Sequence, residues 1–199
     1  MNEYPEYMEA NGNLYKINTD FRVGLACMRA IDDPEINNTE RFYAIESMLL
    51  GFDVREEDEI VLQDKIATYL RCGKKSNYDG VIDMDFEQDK SYISASFMST
   101  YRIDLSKEKM HWWAFNELIE GLTDESILYK IRELRTMDLS EIKDSKTKDK
   151  MREAKKRVAL LDKQSTVKNK RLDNYWEKAL KKRWLNGKRA FKNKNSNGY

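Results

Sequence analysis

Apolar positions flank a two-residue turn signal at the start of the chain. In "YMEANGNLYKI", Tyr7 and Met8 precede Asn11-Gly12, and Leu14, Tyr15 and Ile17 follow it. Asn-Gly supplies the two positive-φ residues of a type I′ turn, so the stretch predicts a β-hairpin. The period then changes from two to about 3.6. Thr19 or Asp20 is placed to cap a helix carrying Phe21, Leu25 and Met28, which should stop at "DDP" because Pro34 restricts the residue before it. Thr39 is the expected cap of a second helix with Phe42, Ile45, Met48 and Leu49 on one stripe and Gly51 at its end. A third stripe holds Ile60, Leu62, Ile66, Tyr69 and Leu70, with Gly73 as the stop. "KKSNYDG" then reads as a loop, the best place in this half for a mobile connection.

The second half repeats the helical period. Asp89 or Ser91 should cap a helix bearing Ile93, Phe97 and Tyr101. Ser106 should cap a helix through "HWW" that Gly121 ends. Thr123 or Asp124 should open another, with Ile127, Ile131 and Leu134. From about Lys146 a basic segment places Met151, Ala154, Val158 and Leu161 on one stripe. After a break near "QST", "RLDNYWEKALKKRWL" places Leu172, Trp176, Ala179, Leu180 and Trp184 on another. The tail "KNKNSNGY" has the composition of a disordered end. The fold class expected is mainly α: a helical domain opened by an N-terminal β-hairpin, with a basic helical C-terminal arm. Two prolines and eight glycines in 199 residues agree with it, since helix breakers are scarce.

Charge divides the chain where periodicity does not. Residues 1–145 carry 17 Lys/Arg against 30 Asp/Glu, a net −13, and residues 146–199 carry 19 against 5, a net +14. The overall +1 conceals this polarity. We therefore expect an acidic body over 1–145 and a basic arm over 146–199, with charge used to meet a partner. The arm admits three uses. It can bind nucleic acid, with Tyr175, Trp176 or Trp184 stacking on bases. It can bind a membrane surface, for which its apolar face is too broken. It can bind a protein or pack on itself, which needs only the Leu172, Trp176, Leu180 and Trp184 stripe. No apolar run is long enough to span a membrane, and the acidic start is no signal peptide.

Candidate chemistry is thin. "DMDFEQDKSYIS" sets Asp83, Asp85, Glu87 and Asp89 at alternate positions like a calcium loop. It has Gln88 where that loop needs Gly and Ser94 where it needs a bidentate Glu. Cys27, Cys72 and His111 are too scattered for a zinc set, and the two cysteines read as reduced thiols. There is no phosphate-binding glycine loop and no nucleophile elbow. No metal, cofactor or catalytic constellation is expected, so the chain is read as no enzyme. Within "HWW", steps of about 100° put Trp112 on the stripe of Phe115, Ile119 and Leu122 with His111 at its edge. Trp113 falls about 100° away, beside Glu117 and Glu120. Trp112 is therefore core. Trp113 is either covered by a neighbouring element, the commoner solution, or held for a partner.

Five strings together resemble a family: "INTDFR" (17–22), "DFEQD" (85–89), "YISASFMSTYRIDL" (92–105), "MHWWAFNELIEGL" (110–122) and "KIRELRTMDLSEIKD" (130–144). They resemble the gene-product-fifteen family of siphophages and prophages of Gram-positive hosts, over about Leu14 to Asp162. The resemblance implies a role encoded beside the tape-measure gene, as a tail assembly chaperone or minor tail protein. It implies phage tail proteins as partners, the tape-measure protein among them, and a place in the host cytoplasm during assembly or in the virion tail. It carries no catalytic residues. With the charge pattern, it makes Trp113, Leu172, Trp176, Leu180 and Trp184 the expected partner-binding residues. Self-association is a further possibility, and nucleic acid is the less favoured partner.

Overall fold

The computed structural model describes residues 3–74 and 82–161. The expected mainly helical architecture opened by a hairpin is what these residues form. Strands β1 (Tyr7–Ala10) and β2 (Asn13–Lys16) pair antiparallel with Ala10 opposite Asn13, so the loop is Asn11-Gly12 alone. Both turn residues have positive φ, 49° and 84°, as the type I′ geometry requires. Seven α-helices follow among the described residues: α1 (Phe21–Ile31), α2 (Asn38–Leu50), α3 (Glu59–Leu70), α4 (Lys90–Tyr101), α5 (Trp112–Glu120), α6 (Ile127–Thr136) and α7 (Ser145–Val158). The expected loop at 74–80 lies, from Lys75, outside the described residues, as do the break near "QST", the second basic helix and the polar tail.

The core is built on aromatic rings from four segments. Phe115 of α5 stacks on Phe21 of α1 (4.7 Å between centroids), on Phe97 of α4 (5.3 Å) and on Trp112 (5.9 Å), with Phe86 leaning in at 6.3 Å. Such offset pairs each add about 0.5–1.5 kcal/mol beyond the area they bury. Around them close Leu49, Leu62, Ile66, Ile93, Ile119 and Leu128, all buried. Helix α6 joins through Leu128, whose N–H is held by the buried Ser96 hydroxyl of α4 at 3.0 Å.

Several helix ends differ from the expected caps. Helix α2 is capped by Asn37, not Thr39. Asn37 accepts from the N–H groups of Thr39 and Glu40, and Glu40 answers on the Asn37 N–H, a complete capping box. Helix α6 is capped by Ser126, whose hydroxyl accepts from Tyr129 N–H, not by Thr123 or Asp124. Asp89 precedes α4 but makes no cap bond, because its carboxylate is committed elsewhere. On α1 the buried positions are Phe21, Gly24 and Cys27 while Leu25 and Met28 are half-buried. Ile60, expected in the core, is 82% exposed. It lies at the start of α3, on the side away from Leu62 and Ile66.

The hairpin is fastened by one buried carboxylate. Asp58, at the head of α3, accepts from the Asn11 amide (2.7 Å), the Asn13 amide (2.8 Å) and the Tyr15 hydroxyl. Asn11 thus shapes the turn and ties it down. Met8 and Ala10 bury the inner face of the hairpin beside α3. The Tyr15 hydroxyl, and then the two amides, hold the Asp58 carboxyl below the usual range. A depressed folded pKa stabilises above the unfolded value of about 3.9 and is lost as pH falls through the folded value. Asp58→Asn should therefore be less stable than the parent at pH 7, because an amide cannot accept from three donors. The gap should narrow in urea melts as the pH is lowered beneath the unfolded value of about 3.9. An unchanged gap down to pH 2 would exclude this carboxylate as a source of acid sensitivity.

Candidate interaction surface and the HWW motif

The three residues of "HWW" do three separate structural jobs. His111 is the N-cap of α5: Nδ1 accepts the Trp113 N–H at 3.0 Å, and Nε2, which then carries the proton, donates to Pro5 O at 3.1 Å. The expected cap, Ser106, lies in the preceding turn and bonds Asp104. The first N–H of α5, from Trp112, bonds Thr19 O at 2.8 Å, and the first N–H of α1, from Phe21, bonds Met110 O at 2.9 Å. The two helix starts thus satisfy each other's orphan donors.

Both tryptophans end on the C-terminus of α3. The Trp112 indole N–H bonds Leu70 O at 3.1 Å and the Trp113 indole N–H bonds Tyr69 O at 2.9 Å. The remaining end of α3 closes as a Schellman turn. Gly73 N–H reaches Thr68 O, Cys72 N–H reaches Tyr69 O, and Cys72 takes the left-handed φ of 54° usually given to glycine. With Lys74 N–H on Arg71 O, every carbonyl from Thr68 to Arg71 has a partner. Gly73, the expected stop, follows with a positive φ of its own, 72°, and its N–H makes the outer bond of the turn. Trp112 sits flat against Gly24 of α1, where an added Cβ would lie 2.2 Å from the ring. Trp113 is half-buried among Tyr69, His111, Tyr4 and Gly73, with a fringe left to solvent. Tyr4 stacks on His111 at 4.9 Å and its hydroxyl bonds Glu117 at 2.6 Å. Of the five expected contact residues, Trp113 alone is described, and Leu172, Trp176, Leu180 and Trp184 lie outside the described residues.

The acidic run is spent on architecture. Asp85 accepts from the Glu87 and Gln88 N–H groups, Asp83 pairs with Arg132 at 2.9 Å, and Glu87 pairs with Arg29 at 2.5 Å. Asp89 is buried in a two-pronged pair with Arg135, both contacts 2.7 Å, and also accepts from Asp85 N–H. Arg135 donates as well to Asp83 O and to Val158 O, which clasps α7. Sequence reading did not single out Arg132 and Arg135. The signal was present: two arginines three apart on α6 reach an acidic loop together.

Residues 1–160 match the family described as bacteriophage Gp15 protein. The chain belongs to that family. It is thus a bacteriophage protein. No curated protein and no solved structure matches it. Strings that carry the resemblance meet in the core. "DFEQD" supplies Phe86 and Asp89, "HWW" supplies the α3 cap, and "KIRELRTMDL" supplies Arg135. None of them forms a solvent-lined constellation of nucleophile, base and acceptor among the described residues. No helix among those residues is long and apolar enough to cross a membrane.

Three variants test this reading of the site. Trp112→Ala should cost about 3–5 kcal/mol in urea unfolding. Trp113→Phe, which keeps a ring but loses the N–H, should cost about 1 kcal/mol. Gly24→Ala should cost about 1–3 kcal/mol, because the Trp112 ring must move. Equal costs for the two tryptophan variants would contradict the assigned division of labour.

The thiols form a second test. Burial pushes Cys27 up to about 12 and Cys72 up to about 11. Neither should react appreciably with a thiol reagent at pH 7.5 in the native protein, and both should react at once in denaturant.

Proposed function

We propose that this protein is a non-enzymatic tail morphogenesis factor, a tail assembly chaperone or minor tail protein that acts by binding the tape-measure protein. One observation carries the reading. A member of the bacteriophage Gp15 family divides its charge into −13 over residues 1–145 and +14 over residues 146–199. The aromatic and acidic strings of the body are occupied with packing, which turns the reading to the surface. Charge speeds encounter with an oppositely charged partner. It does not hold one, because exposed pairs contribute only about 0–1 kcal/mol and are screened within about 8 Å at physiological salt. The stripe Leu172, Trp176, Leu180 and Trp184 would supply the lasting contact by burying apolar area. The exposed fringe of Trp113 is a second contact on the body.

The test is a pull-down of the tape-measure protein at low and moderate salt. Truncation after Gln164 should leave a folded body and abolish capture. Trp176→Ala with Trp184→Ala should weaken capture more than removal of two lysines. Capture by the truncated protein equal to that of the full chain would remove the arm from the reading. Mass spectrometry of purified virions separates a chaperone, which should be absent, from a tail component. Co-purification of DNA through a high-salt wash would favour nucleic-acid binding by the arm.

A further inference from the structure

His111 is the one histidine in the chain, and both of its ring nitrogens are committed. Nδ1 accepts the Trp113 N–H and Nε2 donates to Pro5 O, so only the neutral ring with its proton on Nε2 makes both bonds. The first bond caps α5. The second holds an N-terminal strap, residues 3–6. The Tyr4 ring of that strap stacks on the imidazole at 4.9 Å and stands edge-on to Trp113 at 6.5 Å. Tyr69 of α3 meets the imidazole edge-on at 6.0 Å. The charged groups nearby leave this accounting unchanged. Asp20, whose backbone bridges to His111, holds Arg22, and Glu117 accepts from the Tyr4 hydroxyl. Glu6 and Lys109, next in sequence to Pro5 and Met110, are exposed. The Asp20 and Glu117 carboxylates favour a positive ring and Arg22 opposes one. None of them bonds a ring nitrogen.

A second proton removes the acceptor. Imidazolium donates from both nitrogens, and its Nδ1–H would face the Trp113 N–H, donor against donor, across 3.0 Å. Either the ring turns away or the first turn of α5 opens. A turned ring withdraws Nε2 from Pro5 O and its face from Tyr4. We propose that His111 is a proton-operated latch, whose protonation frees the N-terminal strap and the start of α5 and uncovers Trp113. A free histidine takes its second proton near about pH 6.5. The closed latch has no acceptor to give up, so opening takes up a proton and is favoured as pH falls through that range. With uptake only in the open form, the opening equilibrium rises about tenfold from pH 7.5 to pH 5.5. Trp113 is the body contact of the proposed function, and the latch stands whether or not that surface binds the tape-measure protein.

Amide hydrogen exchange of the full chain, corrected for the intrinsic rate at each pH, tests the latch. The Trp113 amide should open about tenfold more at pH 5.5 than at pH 7.5. The amide of Phe97, buried in the middle of α4, should not follow it. His111→Asn keeps a side-chain oxygen for the cap and cannot take the proton, so its Trp113 amide should open equally at the two pH values. Tyr4→Ala should raise the opening of Trp113 at pH 7.5, because strap and ring hold each other. A flat profile at Trp113 in the wild-type chain overturns the proposal. An equal rise at Phe97 overturns it too, since the whole fold would then be loosening, and so does the same rise in His111→Asn. An unchanged Trp113 amide in Tyr4→Ala overturns the coupling of strap to cap. Should His111→Asn fail to fold, the wild-type comparison of Trp113 with Phe97 decides alone. A latch that opens as expected beside a failed tape-measure pull-down removes the partner and keeps the latch.

Discussion

The end of α3 is a set of carbonyls that must be satisfied inside the protein, and two adjacent tryptophans satisfy them. A helix end leaves four C=O groups without internal partners, and burying one unpaired costs about 1–3 kcal/mol. Here turn bonds close most of them, and the indoles of Trp112 and Trp113 reach Leu70 and Tyr69. Two neighbours about 100° apart on one helix can do this because α3 ends in the angle between them. Gly24 lacks a side chain where the first ring lies, and Gly73 leaves room for the second. Helices α1, α3 and α5 are thereby fixed to one another, and α4 packs onto Phe115 from the free side.

The same economy governs the charged residues. Asp58, Asp89, Arg135 and Glu117 each hold chain segments more than twenty residues apart. A buried pair such as Asp89–Arg135 adds little net stability over well-packed apolar residues. Removing one partner is costly, and the pair rejects arrangements in which it fails to form. That is a use of chemistry to select one packing, and it accounts for the partners of the acidic and aromatic strings by contacts within the fold.

The hairpin was legible in the sequence because Asn-Gly fixes its own backbone. The helices were legible because their stripes run for about two and a half turns or more. Their starting points were not. Whether Ser106 or His111 caps α5 is decided by tertiary neighbours, since Pro5 and Thr19 hold the 110–112 segment, whereas Asn37 caps α2 through a local box with Glu40. Gly24 escaped an apolar count because its contribution is the absence of a side chain. Ile60 was counted on the strength of its residue type, although its helical angle already separated it from Leu62 and Ile66. Trp113 was correctly placed off the main stripe, and its indole bond became visible only with α3 in place. The arm stripe offers periodicity and charge, and neither names what it touches.

The N-terminal strap sets the order in which the chain can be completed. Tyr4 and Pro5 rest on Glu117 and His111, and Thr19 and Phe21 are bonded to Trp112 and Met110. These contacts close loops of about ninety to one hundred and ten residues, and such closure is slow compared with forming a single helix. During synthesis the hairpin, α1 and α2 emerge well before their anchor exists. Until residue 117 has left the ribosome, the faces around Phe21 and Gly24 stay uncovered. The nascent chain therefore spends several seconds, at about 5–20 residues per second, with half of its core open to whatever else is being made beside it.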